Sequence, residues 1–327
     1  MMGVSKMIAS AVIVAAAGLG FAATHGTDLC DGFVPENTMK IPVGKSGAMH
    51  KWDETAAPAT GITEQQFNDV MNRVEKLFGD DVKSAGGVLK INRLWTDSTV
   101  NASAQEFGTS WVLNMYGGLA RHKATTIEGM ALVACHELGH HMGGAPKFQG
   151  WFGSDWATNE GGADYFATLK CLRRYFAEDD NASLVAAATI DPLAKDRCTS
   201  QFTDVAQQNI CMRISMSAQS VSSLFQDLSG DAKAASFSTP DPKVVKKMYD
   251  AHPATQCRMD TYFNGATCHV DASVANSNTD YKQGACVQGQ DEFGWRPTCW
   301  FKPSDDSTSS SSKLSVRKAD IQTGIFY

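Results

Sequence analysis

Residues 126–142 form one continuous apolar, helix-forming run that ends in His136-Glu137-Leu138-Gly139-His140. No other stretch constrains the fold as tightly. A helix from about Thr125 to Met142, stopped by Gly143-Gly144, must pack against its surroundings through its apolar face. Residues four apart project from nearly the same side of a helix. The imidazoles of His136 and His140 can therefore grip one metal ion at the end of this amphipathic helix. Glu137 lies beside them as a candidate general base.

A catalytic zinc needs a third protein ligand and an open fourth position. Glu160 meets that need: it lies twenty residues after His140, past a glycine-rich loop, near the start of the next helix. Asp164 follows at i+4 on the same face and can accept the free ring N–H of a metal-bound histidine, which fixes the tautomer. Helix N-terminal charge and a solvated face are the bland alternatives for these two carboxylates. His141 points about 100° away from His140 on the helix, and His122 would need a sharp return, so both read as surface or core histidines. Pro146 stands where the longer metzincin motif requires a histidine.

The surrounding pattern is α+β. Thr63 and Gln66 form a capping box for a helix whose apolar positions are Phe67, Val70, Met71, Val74 and Leu77, and Gly79 ends it. Val88–Trp95, Val100–Glu106 and Trp111–Met115 read as strands, with a turn at Gly108. The region from Ala145 to Thr158 reads as a Trp- and Gly-rich loop, and Asn159 to Ala177 as a helix. Ser183 to Leu228 is mostly helical, broken at Pro192 and around Arg197–Ser200. Val244–Tyr249 reads as a short helix ending near His252-Pro253. The expected architecture is α+β: a small mixed sheet packed on the H-E-x-x-H helix, followed by a mainly helical C-terminal part. Trp111, Trp151 and Trp156 lie near the cleft in sequence, with core packing expected for at least two of them.

The ends of the 327-residue chain read differently. Residues 1–22 have the Lys6 n-region, Met7–Ala17 h-region and Gly20-Phe21-Ala22 cleavage site of a signal peptide. Residues 23–60 form an extended lead-in, 61–265 the domain that carries the H-E-x-x-H helix, 266–303 a Cys-rich loop segment, and 304–327 a Ser-rich disordered tail. No mature segment is long and apolar enough to span a membrane. A net charge of −6 without a basic stripe argues against nucleic acid. Nine cysteines fit an oxidising compartment, periplasmic or extracellular. Cys30, Cys171, Cys198, Cys211, Cys257, Cys268, Cys286 and Cys299 make an even set for disulfides, with Cys135 as a small buried residue.

His136-Glu137-x-x-His140 with Asn159-Glu160-x-x-Ala163-Asp164 resembles the gluzincin peptidases, and within them the HtpX-type metallopeptidases (metallopeptidase family 48). Asn101-Ala102, Tyr116-Gly117-Gly118-Leu119, and His252-Pro253 with Arg258 resemble further segments of that family. The resemblance covers about Val88 to Tyr262. It implies a zincin-like fold and a zinc endopeptidase with one catalytic Zn(2+); the enzyme type carries over but the family's substrate does not, and the exported, soluble character and the expected peptide or unfolded-protein partner belong to this chain's own reading. It also implies an edge strand at Asn101 and Ala102 that takes the substrate, His252 as the oxyanion donor, and Arg258 as support for its loop. The His140-to-Glu160 spacing is short for the family, its membrane helices are absent, and the Cys-rich C-terminus has no counterpart. A zinc-containing scaffold protein without turnover and an amidase acting on cell-wall peptide stay open beside the endopeptidase.

Overall fold

The computed structural model describes residues 32–35, 37–44, 61–150 and 153–303. The expected signal peptide, Cys30, Trp151 and the Ser-rich tail lie outside the described residues. The chain is mixed α+β. Helix α1 (Glu64–Ser84) starts at the Thr63–Gln66 capping box and runs five residues past Gly79, correcting the expected stop. Phe78 and Val82 continue its buried face, and a helical glycine costs only about 1 kcal/mol.

Three strands follow: β1 (Val88–Leu94), β2 (Ala102–Phe107) and β3 (Ser110–Tyr116). They form a mixed sheet in the order β1-β3-β2, with β1 parallel and β2 antiparallel to β3. A single turn, α2 (Gly117–Ala120), leads toward α3 (Ile127–Met142), which carries the motif and is capped by Thr126. This central helix is not amphipathic, as the sequence reading had it. Every residue from Gly129 to His141 is buried, because α1, the sheet and later helices surround it.

The segment expected to be a loop after α3 holds a two-stranded hairpin, β4 (Lys147–Gly150) and β5 (Gly153–Thr158). The next helix is a composite: α4 (Glu160–Phe166), a π-type stretch at Ala167–Cys171, and α5 (Leu172–Phe176). Helices α6 (Asn181–Ala186), α7 (Pro192–Gln201) and α8 (Val205–Ser229) complete the helical part. Pro192 starts α7 rather than breaking a helix, since a first-turn proline has no N–H to lose.

Val244–Tyr249 is not helical. Two of its backbone N–H groups, those of Val245 and Tyr249, donate to the carbonyls of Thr298 and Trp300, so the segment pairs with the C-terminal stretch. The helix comes after His252-Pro253 instead, as α9 (Thr255–Thr267). Residues 268–303 are irregular and packed onto the body. Trp300 is fully buried, and its indole donates to Thr261 Oγ1 at 2.9 Å.

Four disulfides join Cys135–Cys171, Cys198–Cys211, Cys257–Cys299 and Cys268–Cys286. Cys135 is therefore a paired cysteine and not the odd one. Its bond ties α3 to the end of the π-type stretch, one residue before His136 and seven after Asp164. Closing 36 residues of separation, it should stabilise by about 3–4 kcal/mol. The Cys135→Ala/Cys171→Ala double variant should lose that amount in urea unfolding. Non-reducing peptide mapping should recover the Cys135–Cys171 link; a Cys30–Cys171 link would overturn the assignment.

Candidate metal centre

Helix α3 presents His136 and His140 one turn apart, and their Nε2 atoms approach to 3.1 Å. Glu160 opens α4, whose N-cap Asn159 accepts from Gly162 N. Glu160 Oε2 lies 3.3 Å from His136 Nε2, and Oε1 lies 3.7 Å from His140 Nε2. Metal bonds of about 2.0–2.1 Å at a tetrahedral angle separate neighbouring donors by about 3.4 Å. The three side chains thus converge as a cluster that can hold a metal ion. Gly139 permits the closeness of α3 and α4, because a Cβ there would stand 2.8 Å from the Ala163 carbonyl oxygen.

The donor chemistry fits a cation. His136 Nδ1 donates to Asp164 Oδ1 at 2.7 Å, and His140 Nδ1 donates to the Thr158 carbonyl at 2.8 Å. In the neutral rings both Nε2 lone pairs then face the common centre. Both carboxylate oxygens of Glu160 and both of Glu137 are buried without a hydrogen-bond partner. Orphaned acceptors at this density are costly unless a positive charge sits among them.

Burial opposes charge on His136, but the Asp164 carboxylate and its hydrogen bond, with Glu160, raise it to about 9. Burial lowers His140 to about 4. Burial works against ionised Glu160, yet His252, His140 and His136 hold it well below the usual carboxylate range. Glu137 is pushed by burial up to about 8.

Asp164 is the hub beneath the cluster. Besides His136, its carboxylate accepts from Arg258 Nε at 2.8 Å and Nη2 at 2.7 Å, and from Tyr262 Oη at 2.8 Å. Arg258 and Tyr262 come from α9. Tyr262 was not singled out in the sequence, although its i+4 spacing from Arg258 places both on one helix face. Arg258 Nη1 donates to the Phe33 carbonyl at 2.6 Å. His252 Nε2 lies 3.4 Å from Glu160 Oε2 and donates to the Gly32 carbonyl at 2.6 Å.

Asn101 and Ala102 lie where the chain enters β2, but their outward groups already hold the lead-in: Ala102 O accepts from Phe33 N at 2.8 Å, and Asn101 Oδ1 from Val34 N at 3.1 Å. His141 lies outside the cluster, stacked on Trp111 at 5.1 Å and on Trp156 at 4.6 Å. His122 is buried near Asp227, at 3.8 Å.

Removing one member of the Asp164–Arg258 pair should strand a buried charge. Arg258→Met should destabilise the fold by about 3–5 kcal/mol. Asp164→Asn should weaken zinc binding by about 10–100-fold, and Glu160→Ala should abolish it, both read by competition with a chromogenic chelator. Unchanged metal content in Glu160→Ala would remove Glu160 from the ligand set.

No family model, curated protein or solved structure matches this chain.

Proposed function

We propose that the chain is an exported zinc endopeptidase of zincin-like, HtpX-type architecture. The observation that carries this reading is the convergence of His136, His140 and Glu160 around one centre, with the orphaned carboxylate of Glu137 on the next residue of the same helix. Zinc is the metal favoured by a two-imidazole, one-carboxylate set. When bound there, it supplies Lewis-acid activation of a water and of the scissile carbonyl.

The chain's own residues supply the rest. His136 and His140 are held in fixed tautomers by Asp164 and the Thr158 carbonyl. Glu137 takes the proton from the attacking water and passes it to the leaving amine. His252 donates to the developing oxyanion. An extended peptide adds to the outer edge of β2 through backbone hydrogen bonds, which demand little of its sequence. Four disulfides support export to an oxidising compartment. Among the described residues no helix is long and apolar enough to cross a membrane.

One observation favours the non-catalytic metal-binding reading: His136, Glu137, His140 and Glu160 are all buried, with no more than 1% exposure. Turnover separates the two. The full chain loaded with zinc should cleave casein or a peptide library and stop on addition of a chelator. Glu137→Gln should keep one zinc and the fold while losing about 10²–10⁴-fold in rate. Equal cleavage by Glu137→Gln would end the proposed mechanism. A zinc-loaded wild type without any cleavage would favour the scaffold.

A further inference from the structure

The lead-in lies against the metal cluster. Residues 32–35 and 37–41 run along the stretch that enters β2. Phe33 N donates to Ala102 O at 2.8 Å, and Val34 N to Asn101 Oδ1 at 3.1 Å. Asn101 Nδ2 returns a bond to Val34 O at 3.2 Å. Further on, Asn37 Nδ2 donates to Val100 O at 3.2 Å, Lys40 bridges Thr99 in the antiparallel sense, and Ile41 N donates to Ser98 O at 2.8 Å. Numbers rise on one side as they fall on the other. The lead-in is an irregular antiparallel strand against the β2 entry, the pairing by which a peptide augments a free sheet edge.

Its contacts with the cluster are those of a ligand. The Gly32 carbonyl receives the His252 Nε2–H at 2.6 Å, from the same nitrogen that lies 3.4 Å from Glu160. The Phe33 ring is fully buried, edge-on to the His136 ring at 4.9 Å and against Phe225 at 5.2 Å. Gly32 has φ +94°, and a Cβ there would stand 2.6 Å from Asn101 Nδ2. Only glycine brings the backbone this close without strain.

The hold is also incomplete. A cavity of about 170 Å³ lies between this segment and the α8–α9 end, lined by Pro35, Asn37, Phe225, Leu228 and His252 among others. Among the described residues, each of the four disulfides joins residues from Cys135 onward, and none of them staples the segment to the body.

We propose that residues 32–35 and 37–41 are an internal occupant of the peptide groove, which keeps the metal centre closed until the strap is displaced. This rests on the groove being the peptide site of the endopeptidase reading. The ligand class follows from what the strap presents: an extended peptide, antiparallel to the β2 entry, with an aromatic side chain seated against His136 and the preceding carbonyl on His252. A groove that is mostly self-occupied has its apparent affinity for outside ligands lowered by the open fraction.

The test uses the full zinc-loaded chain with a site-specific protease sequence placed within residues 45–60. Measurements before and after the cut are the affinity of a fluorescent phenylalanine-containing peptide hydroxamate and the rate of zinc loss to a chelator. After the cut, hydroxamate should bind about tenfold tighter or more, expel the N-terminal fragment in gel filtration, and accompany faster zinc loss. Phe33→Ala in the uncut chain should move both readings the same way. If Phe33→Ala fails to fold, the cut chain, which keeps every native strap residue, decides. A fragment that saturating hydroxamate cannot expel, with affinity unchanged by the cut, would overturn the proposal. Tighter hydroxamate binding without any peptide cleavage would uphold the strap while overturning the endopeptidase reading.

Discussion

The buried carboxylate of Asp164 is the interaction on which the rest of the site depends. A carboxylate with no solvent exposure carries a desolvation penalty of several kcal/mol unless its lone pairs are matched. Here four bonds match them, from His136, twice from Arg258, and from Tyr262. Those donors come from α3 and α9, while Asp164 itself sits on α4. One charge therefore fixes three helices relative to each other. Arg258 is neutralised in turn and lies over the faces of Phe33 and Phe225, at 4.7 Å and 4.3 Å from the ring centres, a favourable setting for guanidinium. The orientation of His136 follows from this arrangement and does not need a metal to set it.

Two further devices hold α3 and α4 at the distance the cluster needs. Gly139 removes the side chain that would push the Ala163 backbone away. The Cys135–Cys171 bond closes the far side of the same contact. With hub, glycine and disulfide together, the donor set is formed ahead of its ion, so ordering costs at metal binding are small.

Much of this centre was legible in the sequence because its information is local. Four-residue spacing on a helix dictates that His136 and His140 share a face, and the same rule pairs Glu160 with Asp164. Arg258 was reached only through a resemblance, since nothing in its neighbourhood says which carboxylate it meets. The parts that were misread depend on partners distant in sequence. Val244–Tyr249 has helix-compatible residues, but its backbone bonds go to residues 298–300. The apolar positions Met259, Tyr262, Phe263 and Ala266 do have helical spacing, yet they follow a His-Pro pair that reads as a terminus. Cysteine pairing followed parity and composition, and neither reveals that Cys135 and Cys171 have Cα atoms 5.5 Å apart. The lead-in showed no periodicity because its structure comes from the β2 entry and Arg258 rather than from itself.

Arg258 links the hub to the strap, and that link bears on how a closed centre opens. Its Nε and Nη2 are committed to Asp164, while Nη1 is committed to the Phe33 carbonyl. The His252 Nε2–H is committed to the Gly32 carbonyl. If the strap left without replacement, two donors, one of them on a buried guanidinium, would lose their acceptors, a loss of about 1–3 kcal/mol for each desolvated group. An incoming extended peptide presents backbone carbonyls at a similar pitch and can take over both donors as the strap withdraws. Opening is then an exchange of one peptide for another, in which the hub stays satisfied and His136 keeps its tautomer. The same bonds that keep the centre closed thus favour peptides over other ligands as the means of opening it.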